Sequence, residues 1–193
     1  MARTIAKDHD EKRVAIREAA APIFASQGVD RASMSAIAKA CGVSKALIYH
    51  YYAGKAELLF DILAFHLNGL NDAVDAVPDA PASDYLRALV LKILLAYAGA
   101  DDLHRILINS RDVLSQTQQT EINDIQRRLI GKVSKAIADV APNLDDTKLL
   151  ATTMSLFGMT NWYFMWNRKE NDAARRKYAG LVADLFLDGV GAV

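Results

Sequence analysis

The 193-residue sequence balances 23 lysines and arginines against 23 aspartates and glutamates, and 52% of it is hydrophobic. With ten Gly, four Pro and no low-complexity run, it excludes disordered and fibrous classes and can bury a sizeable core, as one unit or as a small module joined to a larger one. A single cysteine, Cys41, excludes an intramolecular disulfide framework. Neither an uncharged apolar run of about 18 residues nor a charged-then-apolar leader is present, so the expected compartment is the cytoplasm, with no membrane partner.

Neutral charge taken alone argues against a surface built for nucleic acid, but the charges are unevenly placed. Residues 1–56 hold nine basic side chains against five acidic ones, and the remaining 137 hold 14 against 18. Only the N-terminal quarter is therefore suited to face a polyanion.

Apolar residues recur at spacings of three and four, and no run alternates long enough to make a strand, so the predicted class is all-α. Val14, Ala15, Ile16, Ala19, Ala20, Ile23 and Phe24 lay a stripe along a first helix that Gly28 terminates. Pro22 removes one backbone hydrogen bond there, which predicts a kink on the solvent face or a late start to the helix. Two short helices follow, Met34 to about Ala40 and Lys45 to about Tyr51, each after a serine able to cap it, Ser33 and Ser44. A fourth runs from Lys55 through Leu70 and ends before Pro78, and residues 78–83 read as a linker. Longer helices are expected at roughly 83–99, 101–114, 118–140, 145–168 and 171–189, about nine in all.

Ile37-Ala38, then Gly42-Val43-Ser44 and Ile48, is the spacing of a helix-turn-helix. A small residue at 38 lets the second helix approach, Gly42 supplies the turn, and Ile37, Val43 and Ile48 fill the wedge. With its flanks, the stretch SMSAIAKACGVSKALIYHYYAGKAEL (Ser33–Leu58) closely resembles the DNA-binding region of TetR-family transcriptional regulators, as do Phe24, Ala25 and Gly28 before it. The resemblance covers roughly residues 10–60. It implies an N-terminal three-helix bundle over residues 1–54 and a larger helical effector-binding and dimerising domain over 55–193, with 55–77 as the connecting helix.

Carried over position by position, the resemblance places Lys45, Ala46, Leu47 and His50 against base edges in the major groove. Lys45 suits guanine and Leu47 a thymine methyl. Tyr49, Tyr51 and Lys55 would grip phosphates, with Ser33, Ser35 and Ser44 at the openings of the second and third helices. Lys7, Lys12, Arg13 and Arg17 are candidates to track the DNA backbone. Tyr52 and Cys41 read instead as core and turn residues. Ala53, Gly54 and Tyr51 depart from the residues this family often carries at those positions.

Beyond the linker, residues 149–166 are apolar on nearly every face, which requires cover on all sides. Leu149, Leu156 and Tyr163, with Leu181, Leu185 and Phe186 of the last helix, are expected to build a two-fold four-helix interface of a homodimer. Leu103, Ile106, Leu107, Phe157, Asn161, Trp162, Phe164 and Met165 are candidates to line an effector cavity. The segments 158–168 and 183–190 are more loosely similar to TetR members that respond to acyl-coenzyme A thioesters. That similarity implies an acyl chain among these apolar residues and phosphates near Arg127, Arg128, Lys132, Arg168, Arg175 or Arg176. A drug or other apolar metabolite controlling an efflux operon is the alternative effector class.

An enzyme is the competing class. The histidines His9, His50, His66 and His104 form no metal pair with a carboxylate, and there is no glycine-rich phosphate loop, so the reading includes no catalytic residue, metal or cofactor. The expectation is a regulator, usually a repressor, that binds a pseudo-palindromic double-stranded operator as a homodimer and is released by a small hydrophobic effector.

Overall fold

A computed structural model describes the backbone of residues 2–167 and 171–190, and the side chains of 9–167 and 171–189. Lys7 and Arg168, considered above for phosphate contacts, lie outside the described side chains. The described residues are helical, without strands: α1 (Ala2–Gln27), α2 (Met34–Cys41), α3 (Lys45–Tyr51), α4 (Lys55–Asp75), α5 (Ala82–Ala96), α6 (Asp101–Asn109), a 3-10 turn (Arg111–Val113), α7 (Gln116–Val140), α8 (Asp146–Asn161), the single turn α9 (Tyr163–Trp166) and α10 (Asp172–Val190). The predicted all-α class holds. Two compact units form, one from residues 1–66 with 102–123 and the other from 67–101 with 124–193.

In the first unit, Ile16, Ala20 and Phe24 stand at i, i+4 and i+8 on α1 and are essentially buried, as are Ile37 and Ala38 of α2, Ile48 of α3 and Leu58, Leu59 and Leu63 of α4, with α1 packed on α2 and α2 on α3. Helix α1 starts early and runs through Pro22. Pro22 and Glu18, whose carbonyl loses its usual donor, are both exposed, so the lost bond falls on the solvent side of the helix rather than in the core. Gly42 closes α2 at φ 67°, in the left-handed region where a Cβ is costly, and Val43 N–H donates to Ala38 O at 3.0 Å.

Helix α6, the 3-10 turn and the start of α7 belong to this same unit. There the His66 and His104 rings meet edge-on at 5.8 Å between centroids. Burial, reinforced by His104, pushes His66 down to about 4. The folded chain thus favours the neutral imidazole. That stabilisation is complete above the ordinary value of 6.5 and is lost as pH falls from there towards about 4. A His66→Leu chain is expected to show a flatter decline of the urea midpoint across that window than the unsubstituted chain.

The second unit packs α5 (Leu86, Leu89, Val90, Ile93 and Leu94) against α10 (Ala179, Val182, Ala183 and Phe186), with α8 alongside through Leu156 and Phe157. Buried Asn71 anchors α7 to the end of α4, donating to Ile125 O at 3.1 Å and accepting from Lys132 Nζ at 3.1 Å. The single helix expected over 145–168 breaks at Trp162, and α9 follows as one turn. Among the described residues, no helix is long and apolar enough to cross a membrane.

Candidate nucleic-acid interface

Helix α3 has seven residues, too short to be stable alone, so its ends and one buried side chain hold it. Ser44 Oγ accepts from Leu47 N–H at 3.1 Å, Tyr52 N–H donates to Ile48 O at 3.0 Å, and Ile48 is fully buried. The same device opens α2, where Ser33 Oγ accepts from Ala36 N–H at 3.1 Å. Each capping hydroxyl accepts with its oxygen, which leaves its proton to be donated outward.

With Ile48 inward, Lys45, Ala46, Tyr49 and His50 are exposed on the opposite side, and Ser33, Ser35 and Ser44 are exposed at the helix openings. Lys45 Nζ lies 5.9 Å from the centroid of the Tyr49 ring, which is 47% exposed. Leu47 and Tyr51 are half-buried. Tyr51 stands between two imidazoles, His9 at 4.8 Å and His50 at 5.5 Å. Lys55, at the start of α4, donates to Asp30 O at 2.6 Å, which ties its ammonium to the α1–α2 loop. Glu57 turns back to accept from Ala53 N–H at 2.6 Å. The structure thus brings nine of the ten sequence-predicted DNA contacts to the surface around α2 and α3, with Lys55 held beside that loop.

Sequence reasoning missed what orients this face. Asp61 of α4 accepts from Arg13 Nη2 at 2.5 Å, Arg17 Nη1 at 3.0 Å and the Tyr52 hydroxyl at 2.6 Å. Arg17 also lies 3.9 Å over the Phe65 ring. One carboxylate therefore ties α1 to the residue that closes α3, and Arg13 and Arg17 are structural cations rather than open backbone-tracking ones. Desolvation and the Asp61 hydrogen bond push the Tyr52 phenol up to about 12.

Burial also sorts the residues expected in the second domain. Leu156, Tyr163 and Phe186, expected at the dimer seam, are in the interior. They lie on the inward faces of their helices, which periodicity alone does not distinguish from the outward ones. Leu181 and Leu185 are exposed, and Leu149 is half-buried. Of the expected effector wall, Phe157 is buried and Phe164 and Asn161 are half-buried, Asn161 accepting from the Tyr97 hydroxyl at 2.7 Å. Trp162 and Met165 are exposed, because the break at Trp162 turns them outward. Leu103, Ile106 and Leu107 belong to the first unit. An aromatic cluster not singled out in the sequence forms where Tyr163 stacks on Tyr178 at 4.7 Å and Trp166 meets both edge-on. The buried Arg175 guanidinium sits 5.3 Å from the Tyr163 ring.

Comparison with known proteins agrees with this architecture. Residues 16–62 match the family model described as bacterial regulatory proteins, tetR family, and residues 79–190 match the tetracyclin repressor-like C-terminal domain. The chain is 31% identical to a TetR-family transcriptional regulator from Bordetella parapertussis 12822, with a TM-score of 0.84 over 94% of this chain and 96% of that one. It is 30% identical to the HTH-type transcriptional regulator SrpR of Pseudomonas putida, over 58% of this chain and 60% of SrpR's length. It shares its fold with AibR, solved in complex with isovaleryl coenzyme A and operator DNA, at 23% identity and a TM-score of 0.74 over 91% of this chain and 98% of AibR. The capped outward face of α3 and the two matching domain models have one meaning: the chain belongs to the TetR family of DNA-binding transcriptional regulators.

Proposed function

We propose that two copies of this chain bind a pseudo-palindromic operator, each placing α3 in a major groove, and that the pair represses transcription until a small hydrophobic effector releases it. The observation that carries the reading is the outward face of α3, Lys45, Ala46, Tyr49 and His50, opened by the Ser44 cap and flanked by Lys55. Successive half-sites would lie about one helical turn apart or slightly more. Lys45, Ala46, Leu47 and His50 read bases, while Tyr49, Tyr51, Lys55 and the serines at 33, 35 and 44 position the phosphates.

Substitution separates these roles. Tyr49→Phe and Lys55→Gln are expected to weaken binding to all sequences and to lower the salt slope by about one for each lysine–phosphate contact removed. Lys45→Ala or His50→Ala should relax base preference instead, by about 1–3 kcal/mol of discrimination. Fluorescence anisotropy against matched and mismatched operators at three salt concentrations distinguishes them. Equal loss of discrimination in both groups overturns the division.

The effector reading rests on the interior of the second unit, where buried Phe157 provides apolar surface, the Tyr97–Asn161 pair a polar anchor, and Arg175 a buried cation. An acyl-coenzyme A thioester combines an apolar chain with phosphates that suit such surroundings, and AibR was solved with a ligand of that class. Helix α4 supplies residues to both units and is the continuous segment through which an effector would act. Moving the chain from mostly competent to mostly released requires the effector to prefer the released conformer by about 5 kcal/mol. A gel-shift series with saturating acyl-coenzyme A thioesters tests this. Unchanged operator affinity refutes the effector class and leaves DNA binding intact.

A further inference from the structure

Two side chains of α1, one turn apart on the same face, meet the end of α3. Arg13 Nε donates to the Tyr52 hydroxyl at 3.5 Å. His9, four positions earlier, lays its ring against that of Tyr51, the last residue of α3, with 4.8 Å between centroids and 39° between planes. His50 of α3 also meets Tyr51, edge-on at 5.5 Å. A phenol placed above among the groups that grip DNA phosphate is thus shared by two imidazoles from different helices. The His9 side chain is 48% exposed and His50 is exposed, so both rings exchange protons with solvent.

Imidazole is the side chain that ordinarily changes charge between pH 5 and 8. Neutral, each ring packs on Tyr51 as one aromatic on another. Protonated, His9 becomes a cation against the electron-rich phenol ring, which tightens the contact. Each imidazolium also places a positive charge within a Debye length, about 8 Å, of Tyr51. That gain does not depend on which nitrogen faces the DNA, because charge attracts phosphate over this range without a directional bond. The other charged groups beside His9 on α1 are Asp10, whose Oδ1 is 3.8 Å from His9 Nδ1, and Lys12 and Arg13 one turn on, the latter engaged by Asp61. From α3 the facing groups are Tyr51 and His50. Protonation of His9 offsets the Asp10 carboxylate, which otherwise repels the same phosphates. His66, pushed down to about 4, stays neutral where imidazole ordinarily changes charge.

We propose that His9 is a positioning residue of the DNA-binding surface, supporting Tyr51 from α1, and that together with His50 it makes operator binding tighten as the solution becomes more acidic. This rests on the operator-binding reading above and adds to it a residue outside the helix-turn-helix.

The test is fluorescence anisotropy of the full chain on operator and on an unrelated duplex, at pH 6 and pH 8 and one ionic strength, then across salt. The unsubstituted chain is expected to bind operator at least about threefold more tightly at pH 6, with a salt slope steeper by about one for each protonated contact. His9→Ala should weaken binding to both duplexes already at pH 8, because Tyr51 loses its support. His9→Phe returns a ring and should restore most of that loss, yet lack the His9 share of the acid gain. His50→Gln should lose its own share, and His9→Phe combined with His50→Gln should bind almost independently of pH. Equal affinity of the unsubstituted chain at both pH values overturns the proposal. So does a double variant that keeps the whole acid gain, which would place the proton elsewhere, on His104 for instance. His9→Phe no better than His9→Ala overturns the supporting ring contact. Absence of operator binding by the unsubstituted chain at both pH values removes the operator reading and the proposal with it, whereas binding that ignores pH removes the proposal alone.

Discussion

Replacing Asp61 by alanine is expected to destabilise the first unit by about 3 kcal/mol, more than any single substitution on the outward face of α3. The carboxylate accepts from two guanidinium groups and a phenol, and Arg17, with its side chain 12% exposed, cannot recover full hydration when its partner is removed. Asp61→Asn keeps part of the hydrogen bonding and loses the charge, so its cost should be intermediate, about 1–2 kcal/mol. The readout must be local. Both tryptophans, Trp162 and Trp166, belong to the second unit, so a fluorescence midpoint should move less than the exchange rates of α1 and α3 amides. Operator affinity should fall as well, although Asp61 itself is directed into the network beneath α3, because the end of α3 loses its tie to α1 through Tyr52. Equal exchange protection of α3 in Asp61→Ala and the unsubstituted chain would show that packing of Ile48 alone orients the helix.

The same network has an alkaline signature. The folded chain favours the neutral Tyr52 phenol, so its stabilisation is complete below the ordinary value of 10 and is lost as pH rises from there towards about 12. Burial raises Tyr97 in the second unit too, which adds to the alkaline decline there. Tyr52→Phe should remove only the first unit's share.

The helix-turn-helix was legible in the sequence because every feature that builds it is local. Ser33 and Ser44 cap helices beginning one residue later, Gly42 makes the turn between them, and Ile37 and Ile48 are only 11 positions apart. The Asp61 network was not legible, because its arginines lie 44 and 48 residues away and a charged stripe on a helix ordinarily means solvation. Nor was the assignment of α6 to the first unit, which depends on long-range packing rather than on any break in composition. The break at Trp162 involves no glycine or proline, so the pattern ran on as one helix. In α8 and α10 apolar residues occupy two faces each. Periodicity located the helices and left open which leucines turn inward, and for that reason Leu156 and Phe186 were assigned to a seam that their burial closes to a partner.

What burial leaves outside is the basis of the remaining prediction. Leu150 and Met154 on α8, and Leu181 and Leu185 on α10, are each about half exposed, and each pair is spaced by four residues on one face of its helix. Ala151, Ser155 and Gly158 on α8 and Gly180 on α10 are exposed too, small residues that let another helix approach closely. Covering four such side chains on each of two copies yields roughly 1 kcal/mol apiece, about 8 kcal/mol, which is of the same order as the cost of association, so these leucines and methionines are a large share of what a stable dimer needs and the close-packed small residues around them must supply the rest. Leu181→Glu combined with Leu185→Glu places four carboxylates in that two-fold contact. Sedimentation velocity is expected to show a monomer, and operator affinity should fall at least about 100-fold, since each head would then bind its half-site without the other's effective concentration. Because both leucines already face solvent, the helical content should not change. A chain that stays dimeric with both glutamates would move the interface to another face, and a monomer with undiminished operator affinity would separate DNA binding from dimerisation altogether.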